Sequence, residues 1–243
     1  MEYYELINYN HHNSLIGFYK VLFNDKFYFN KISFCSESNN IIINEHNGYK
    51  WYFLRNKNLK YNIRLDKSVK NFSILIPEFQ GIKLPFNLKI EGNEFYFNKI
   101  LNNYIRCWNS ESDFSIHGDF SFANFVLENN NIIIIDWEHF HKSNYNYFGY
   151  DFIHLIYLSI KSSTFSINTN NLNFIKKCIN KLKNNFKGSG NFLNYPFQNS
   201  KRYLLKYSSR FGNSESILNK FELAYEKDKV LSEIDFKINN LWK

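Results

Sequence analysis

The chain has 243 residues, a formal net charge of +8 and 20% aromatic side chains (26 Phe and 18 Tyr), enough for a sizeable core in one two-lobed unit or two small domains. The three cysteines, Cys35, Cys107 and Cys178, are widely spaced and form no CxxC, which argues against a disulfide framework or a zinc site. Lysines and arginines are spread along the chain rather than blocked, so charge alone does not nominate a nucleic-acid partner, and no apolar run approaches the roughly 18 residues of a membrane span.

The start, Met1-Glu2-Tyr3-Tyr4-Glu5, has neither a basic region nor an apolar run. No secretory leader is therefore expected, and the protein is placed in the cytoplasm without integral membrane association. Tyr3–Tyr9, Phe18–Phe23 and Phe27–Phe34 read as strands, the last two joined by Asn24-Asp25. Between the first two lies a polar link, Asn10 to Gly17, that contains only one glycine.

Alternation along the third strand puts Phe27, Phe29 and Lys31 on one face. A lysine on an apolar face needs an anionic partner; an edge lysine snorkelling to water is the other reading. Lys20 and Lys26 are lesser candidates. Ser36–Leu54 predicts a helix capped by Ser36 or Ser38, with Ile41, Ile42, Glu45, Tyr49 and Tyr52 on one face. Glu45 interrupts that apolar face, and a charge so placed pairs with something. Gly48 costs such a helix about 1 kcal/mol.

Tyr61–Leu65 and Phe72–Ile76 predict two more strands, followed by the break Pro77-Glu78-Phe79-Gln80-Gly81. Glu94–Trp108 is an amphipathic helix carrying Phe95, Ile100, Leu101, Tyr104, Ile105 and Trp108. Further on, Phe152–Ile160, Leu172–Phe186, Lys201–Phe211 and Ser216–Trp242 read as helical, with a break at Gly188-Ser189-Gly190.

The informative stretch is His117 to Glu138. Two apolar runs, Phe125–Leu127 and Ile132–Ile135, flank the polar turn Glu128-Asn129-Asn130-Asn131, which is a hairpin signal. Folded as an antiparallel pair, it sets Leu127 near Ile132 and Asn124 near Ile135, so Asn124 and Asp136 meet at the open end. Asp119 lies five residues before Asn124. Asn and Asp oxygens suit Mg²⁺, and a carboxylate just off the metal can orient a hydroxyl and accept its proton. A base, an Asn and an Asp in that order, with Asp-x-x-x-x-Asn spacing, are the parts of kinase-type phosphoryl transfer. Turn-capping and loop-satisfying roles are the plain alternative for Asp119 and Asn124.

The stretch resembles the aminoglycoside phosphotransferase and choline/ethanolamine kinase family, through His117, Gly118, Asp119, Asn124, Asp136, Trp137 and Glu138 and the segment Asn144 to Asp151. The resemblance implies an α+β, two-lobed, protein-kinase-like fold. Residues 1–80 would form a nucleotide-binding lobe, a five-stranded antiparallel sheet with one helix. Residues 81–243 would form a mainly helical catalytic and acceptor-binding lobe carrying the catalytic β-hairpin. It further implies Asp119 as catalytic base, Asn124 and Asp136 as Mg²⁺ ligands, and Lys31 on the ATP phosphates, held by Glu45 or, failing that, Glu37. The backbone of Glu78, Phe79 and Gln80 would read the adenine edge. His117 and Asp151 would brace the catalytic loop, and Glu138 would help position metal or substrate or else lie on the surface. The implied activity is ATP-dependent transfer of the γ-phosphoryl group to a small-molecule hydroxyl, of an amino alcohol such as choline or ethanolamine or of a sugar or surface-glycan precursor. A catalytically inactive, nucleotide-binding pseudokinase is the alternative.

Overall fold

A computed structural model describes residues 2–11, 14–68, 71–86, 88–109, 114–143, 148–149, 151–152, 155–156, 158–159 and 169–186. Helices combine with antiparallel sheets. β1 (Glu2–His11), β2 (Ser14–Phe23), β3 (Lys26–Ser33), β4 (Arg64–Lys67) and β5 (Phe72–Pro77) form one sheet in the order β1-β2-β3-β5-β4, every neighbouring pair antiparallel. Two details depart from the sequence reading. The polar link from Asn10 to Gly17 is largely strand: β1 runs to His11, β2 starts at Ser14, and those two residues pair. β1 lies at the edge of the sheet among the described residues, and an edge strand tolerates polar residues. The fourth strand begins at Arg64, not Tyr61; the Tyr61 ring stacks edge-on against Phe79, 4.8 Å between centroids.

Helix α1 (Ser36–Arg55) packs on β3 and β5. Ser38, Ile42, Glu45, Tyr49 and Tyr52 are buried at helical spacing. Its N-cap is Cys35, without a side-chain cap bond, rather than Ser36 or Ser38; the Ser38 hydroxyl lies 3.0 Å from the Cys35 thiol instead. Gly48 has a reason to be glycine. A Cβ there would stand 2.5 Å from the Trp137 Cβ, so the helix backbone lies directly on that indole. Helix α2 (Glu94–Trp108) buries Phe97, Leu101, Tyr104 and Trp108, while Phe95 is exposed, one position off the predicted stripe. Helix α3 (Thr169–Asn184) buries Ile175, Ile179 and Leu182. No helix among the described residues is long and apolar enough to cross a membrane. The predicted helices Lys201–Phe211 and Ser216–Trp242, the break at 188–190 and most of the Asn144–Asp151 segment lie outside the described residues.

The hairpin β8 (Phe125–Glu128) and β9 (Asn131–Ile134) pairs Leu127 with Ile132 and Phe125 with Ile134. A short β6 (Ile82–Lys83) adds to its outer edge through β8. A second ladder joins β7 (Phe114–Ile116) to β10 (His141–Ser143). These two ladders position the site. Residues 117–124 connect β7 to β8 and residues 135–140 connect β9 to β10, so both loops are pinned side by side by the same pair of ladders. Beneath them Trp137, fully buried, meets the rings of His117 (4.5 Å), Tyr52 (5.3 Å), Trp108 (5.8 Å) and Trp51 (5.9 Å) in one continuous core.

Candidate functional site

Lys31 is the centre of the first half of the site. Its strand is flanked by β2 and β5, and its side chain is only 11% exposed. The ammonium lies 2.9 Å from Glu45 Oε2, 3.0 Å from Asp136 Oδ1 and 2.9 Å from Glu138 Oε1. It is therefore no snorkelling edge lysine. Glu45, not the exposed Glu37, is its partner on α1. The carboxylate oxygens of Glu45, Asp136 and Glu138 lie within 4.8 Å of one another, a separation that one cation can span. Burial works against the charge on Lys31, but the three carboxylates outweigh it and raise its pKa well above the ordinary lysine value. Burial likewise opposes ionisation of Asp136, yet Lys31 holds its carboxyl well below the usual range. Glu45, wholly buried, is pushed upward by desolvation, more than Lys31 can offset.

Asp136 itself is backbone-strained, with φ of 63° in the left-handed region. The next residue but one, Glu138, turns back toward the same ammonium, an outcome its Asp-x-Glu spacing allows but does not require.

The second half is the loop from His117 to Asn124. The Asn124 amide donates to the Asp119 carbonyl (2.9 Å) and to Asp119 Oδ2 (3.0 Å). The Asn124 carbonyl accepts from the Ile135 N–H at 3.0 Å, which sets this loop against the Asp136 loop, as the hairpin register implies. His117 links the two loops. Its Nε2–H donates to the Ile135 carbonyl (3.0 Å) and its Nδ1 accepts from the Asp119 N–H (3.3 Å). Those two bonds define one neutral tautomer, and burial supports it by lowering the ring's pKa to about 4. Asp151, buried, accepts from the N–H groups of both His117 (3.0 Å) and Gly118 (3.2 Å). Burial raises its carboxyl to about 7 despite those donors. Gly118 has φ of 88°, and a Cβ there would stand 2.6 Å from the His139 Cβ, so only glycine fits.

Of the sequence-predicted residues, Lys31, Glu45 and Asp136 meet in one cluster and Asp119 and Asn124 in an adjoining one. Asn124 is bonded to Asp119; the carboxylates that meet around the lysine with Asp136 are Glu45 and Glu138. Glu78, Phe79 and Gln80 follow β5, but two of their three N–H groups are committed within the chain. The Glu78 N–H donates to the Phe27 carbonyl at 3.1 Å, and the Gln80 N–H donates to the Glu128 carboxylate, which also accepts from the Tyr61 hydroxyl. The Glu78 side chain pairs with Lys20 at 2.7 Å, away from the cluster around Lys31, and Lys26 is exposed. Tyr49 was legible only as a core position; its hydroxyl accepts from the Asp136 N–H at 3.3 Å. The signal was its place one turn after Glu45 on the same face. No family model matches the chain, and no curated protein matches it.

Proposed function

We propose that the protein is a Mg²⁺-dependent, kinase-like phosphotransferase that moves the γ-phosphoryl group of ATP to a hydroxyl of a small molecule, an amino alcohol or a sugar. The observation that carries this reading is the convergence of Glu45, Asp136 and Glu138 on the Lys31 ammonium beside the Asp119–Asn124 pair. Three carboxylates around one ammonium leave surplus negative charge in a half-buried setting, which suits a hard divalent cation with oxygen ligands. Asp136 and Glu138 belong to the loop beside Asn124, so these residues would hold the ion. Mg²⁺ supplies neutralisation of phosphate charge when bound.

The chain's own residues do the rest. Lys31, kept charged and tethered to Glu45, turns its ammonium to the nucleotide phosphates. Asp119 commits Oδ2 to Asn124, which leaves Oδ1 to orient the acceptor hydroxyl and take its proton. His117 stays neutral and ties the Asp119 backbone to the loop that carries Asp136. An adenine edge would be read by the Phe79 N–H and the carbonyls of residues 78–80. Rate gain comes from positioning and electrostatics rather than covalent chemistry. The two-lobed division at residue 80 belongs to the same proposal.

The test is a screen of amino alcohols, small alcohols and sugars for acceptor-dependent ATP consumption. Turnover with one acceptor class supports the reading, and no turnover with any refutes it. The link from Asn10 to Gly17, with its single glycine and largely strand backbone where a phosphate-covering loop would stand, favours a second reading, a nucleotide-binding protein without turnover. Its signature is a nucleotide-induced rise in melting temperature, with and without Mg²⁺, in a protein that passes no phosphate on.

A further inference from the structure

The peptide that joins Ile135 to Asp136 is gripped at both ends. Its carbonyl accepts from His117 Nε2 at 3.0 Å, and its N–H donates to the Tyr49 hydroxyl at 3.3 Å. Upstream, the Ile135 N–H is tied to the Asn124 carbonyl; downstream, Trp137 is locked in the aromatic core. Between these anchors Asp136 holds φ of 63°. For a residue with a Cβ that conformation costs roughly 1–2 kcal/mol, and it persists only where the surroundings over-determine it. Rotation of this peptide changes the φ of Asp136 directly and swings its carboxylate.

The two grips come from different places. His117 belongs to the neighbouring loop. Tyr49 belongs to α1, one helical turn after Glu45, so one rigid helix touches both Lys31 and the backbone of Asp136. The Tyr49 ring is 2% exposed and packs between Phe53 (5.7 Å) and Trp137 (6.4 Å), so the hydroxyl is delivered by packing rather than found by a mobile side chain. Burial, with Glu45 nearby, raises the phenol well above its ordinary pKa and keeps it neutral.

We infer that Tyr49 is a positioning residue that holds the Asp136 carboxylate in the orientation that receives the phosphate-bound cation, so that helix α1 sets the lysine and the metal ligand together. The inference rests on the phosphotransferase reading. The deciding experiment uses the full chain with ADP and Mn²⁺ as the probe, followed by water-proton relaxation, for the wild type, Tyr49→Phe and Tyr52→Phe. Tyr49→Phe keeps the ring and removes one hydrogen bond, so the half-saturating Mn²⁺ concentration rises about three- to tenfold. Tyr52→Phe loses an equally buried hydroxyl, bonded to the Ile132 carbonyl at 3.0 Å rather than to the Asp136 N–H. It lowers the melting temperature and leaves the Mn²⁺ requirement at the wild-type value. A Tyr49→Phe protein with wild-type Mn²⁺ binding overturns the inference; so does an equal rise in Tyr52→Phe, which marks general loosening of the core. A wild type that binds no Mn²⁺ with ADP is a different failure: it removes the phosphotransferase reading, and the inference with it.

Discussion

Around Lys31, three carboxylates from α1 and the Asp136 loop converge on a single ammonium; around His117, a neutral ring and a buried carboxylate hold a loop by its backbone. The first region has surplus negative charge and is built across long separations: Lys31 and Asp136 are 105 residues apart, and Lys31 and Glu138 are 107 apart. The second is mostly local, since Asp119 and Asn124 are five residues apart and His117 and Asp119 two. The difference separates two tasks. On the proposed reading, a region that exchanges one cation for another is held by charge and can be re-partnered. On the same reading, a region that keeps one carboxylate in place is held by directional hydrogen bonds to main-chain groups.

Asp136→Ala is the largest break in this contrast. It removes the carboxylate shared by the ammonium and the proposed cation, so acceptor-dependent turnover should fall by about 10³-fold or more, measured as kcat/KM. Stability should hold, because two carboxylates still face the ammonium. The melting temperature is expected to stay within about 4 °C, the shift that about 1 kcal/mol produces in a chain this long.

Lys31→Met acts on the other member of the cage. It leaves three acids facing one another without a cation, and breaking a buried pair in this way costs about 3 kcal/mol. Urea unfolding should show that loss, and added Mg²⁺ should recover part of it. No such recovery is expected for changes in the His117 loop.

Gly118→Ala probes that loop. With φ of 88° and the His139 Cβ in the way, the substitution should cost about 1–3 kcal/mol in unfolding free energy and displace Asp119, lowering kcat more than nucleotide affinity.

The smallest effect is a pH dependence. The Asp151 carboxyl is raised to about 7 from 3.8, so its contribution is fully present below 3.8 and is lost as pH rises through 7. His117 is lowered from 6.5 to about 4 and works in the opposite sense, its contribution present above 6.5 and lost as pH falls through 4. As pH rises past 6.5 the unfolded ring also becomes mostly neutral, and the opposition from His117 fades. Glu45, raised to about 8, works in the same sense as Asp151, so the urea midpoint should fall between about pH 6.5 and 7.5, and Asp151→Asn should make that slope shallower without abolishing it.

Local spacing alone determined the hairpin, its register and the meeting of Asn124 with the Asp136 loop, because a polar turn between two apolar runs favours one antiparallel pairing. Helical periodicity likewise placed α2 to the residue and α1 to within one. The polar β1–β2 link read as a loop since side-chain polarity says nothing about which backbone groups find a partner strand, and the start of β4 slipped because propensity could not see the Tyr61 ring packing against Phe79. The sequence named Lys31 and Glu45 as charges out of place, yet only tertiary packing could make them one cluster with Asp136 and Glu138. Tyr49 shows the same limit: a core tyrosine by pattern, it reaches an N–H 87 residues away because Gly48 lets α1 lie flat against Trp137. Periodicity reports which face of an element is buried; what that face meets is decided by how the elements pack, through contacts too far apart in the chain for spacing to encode.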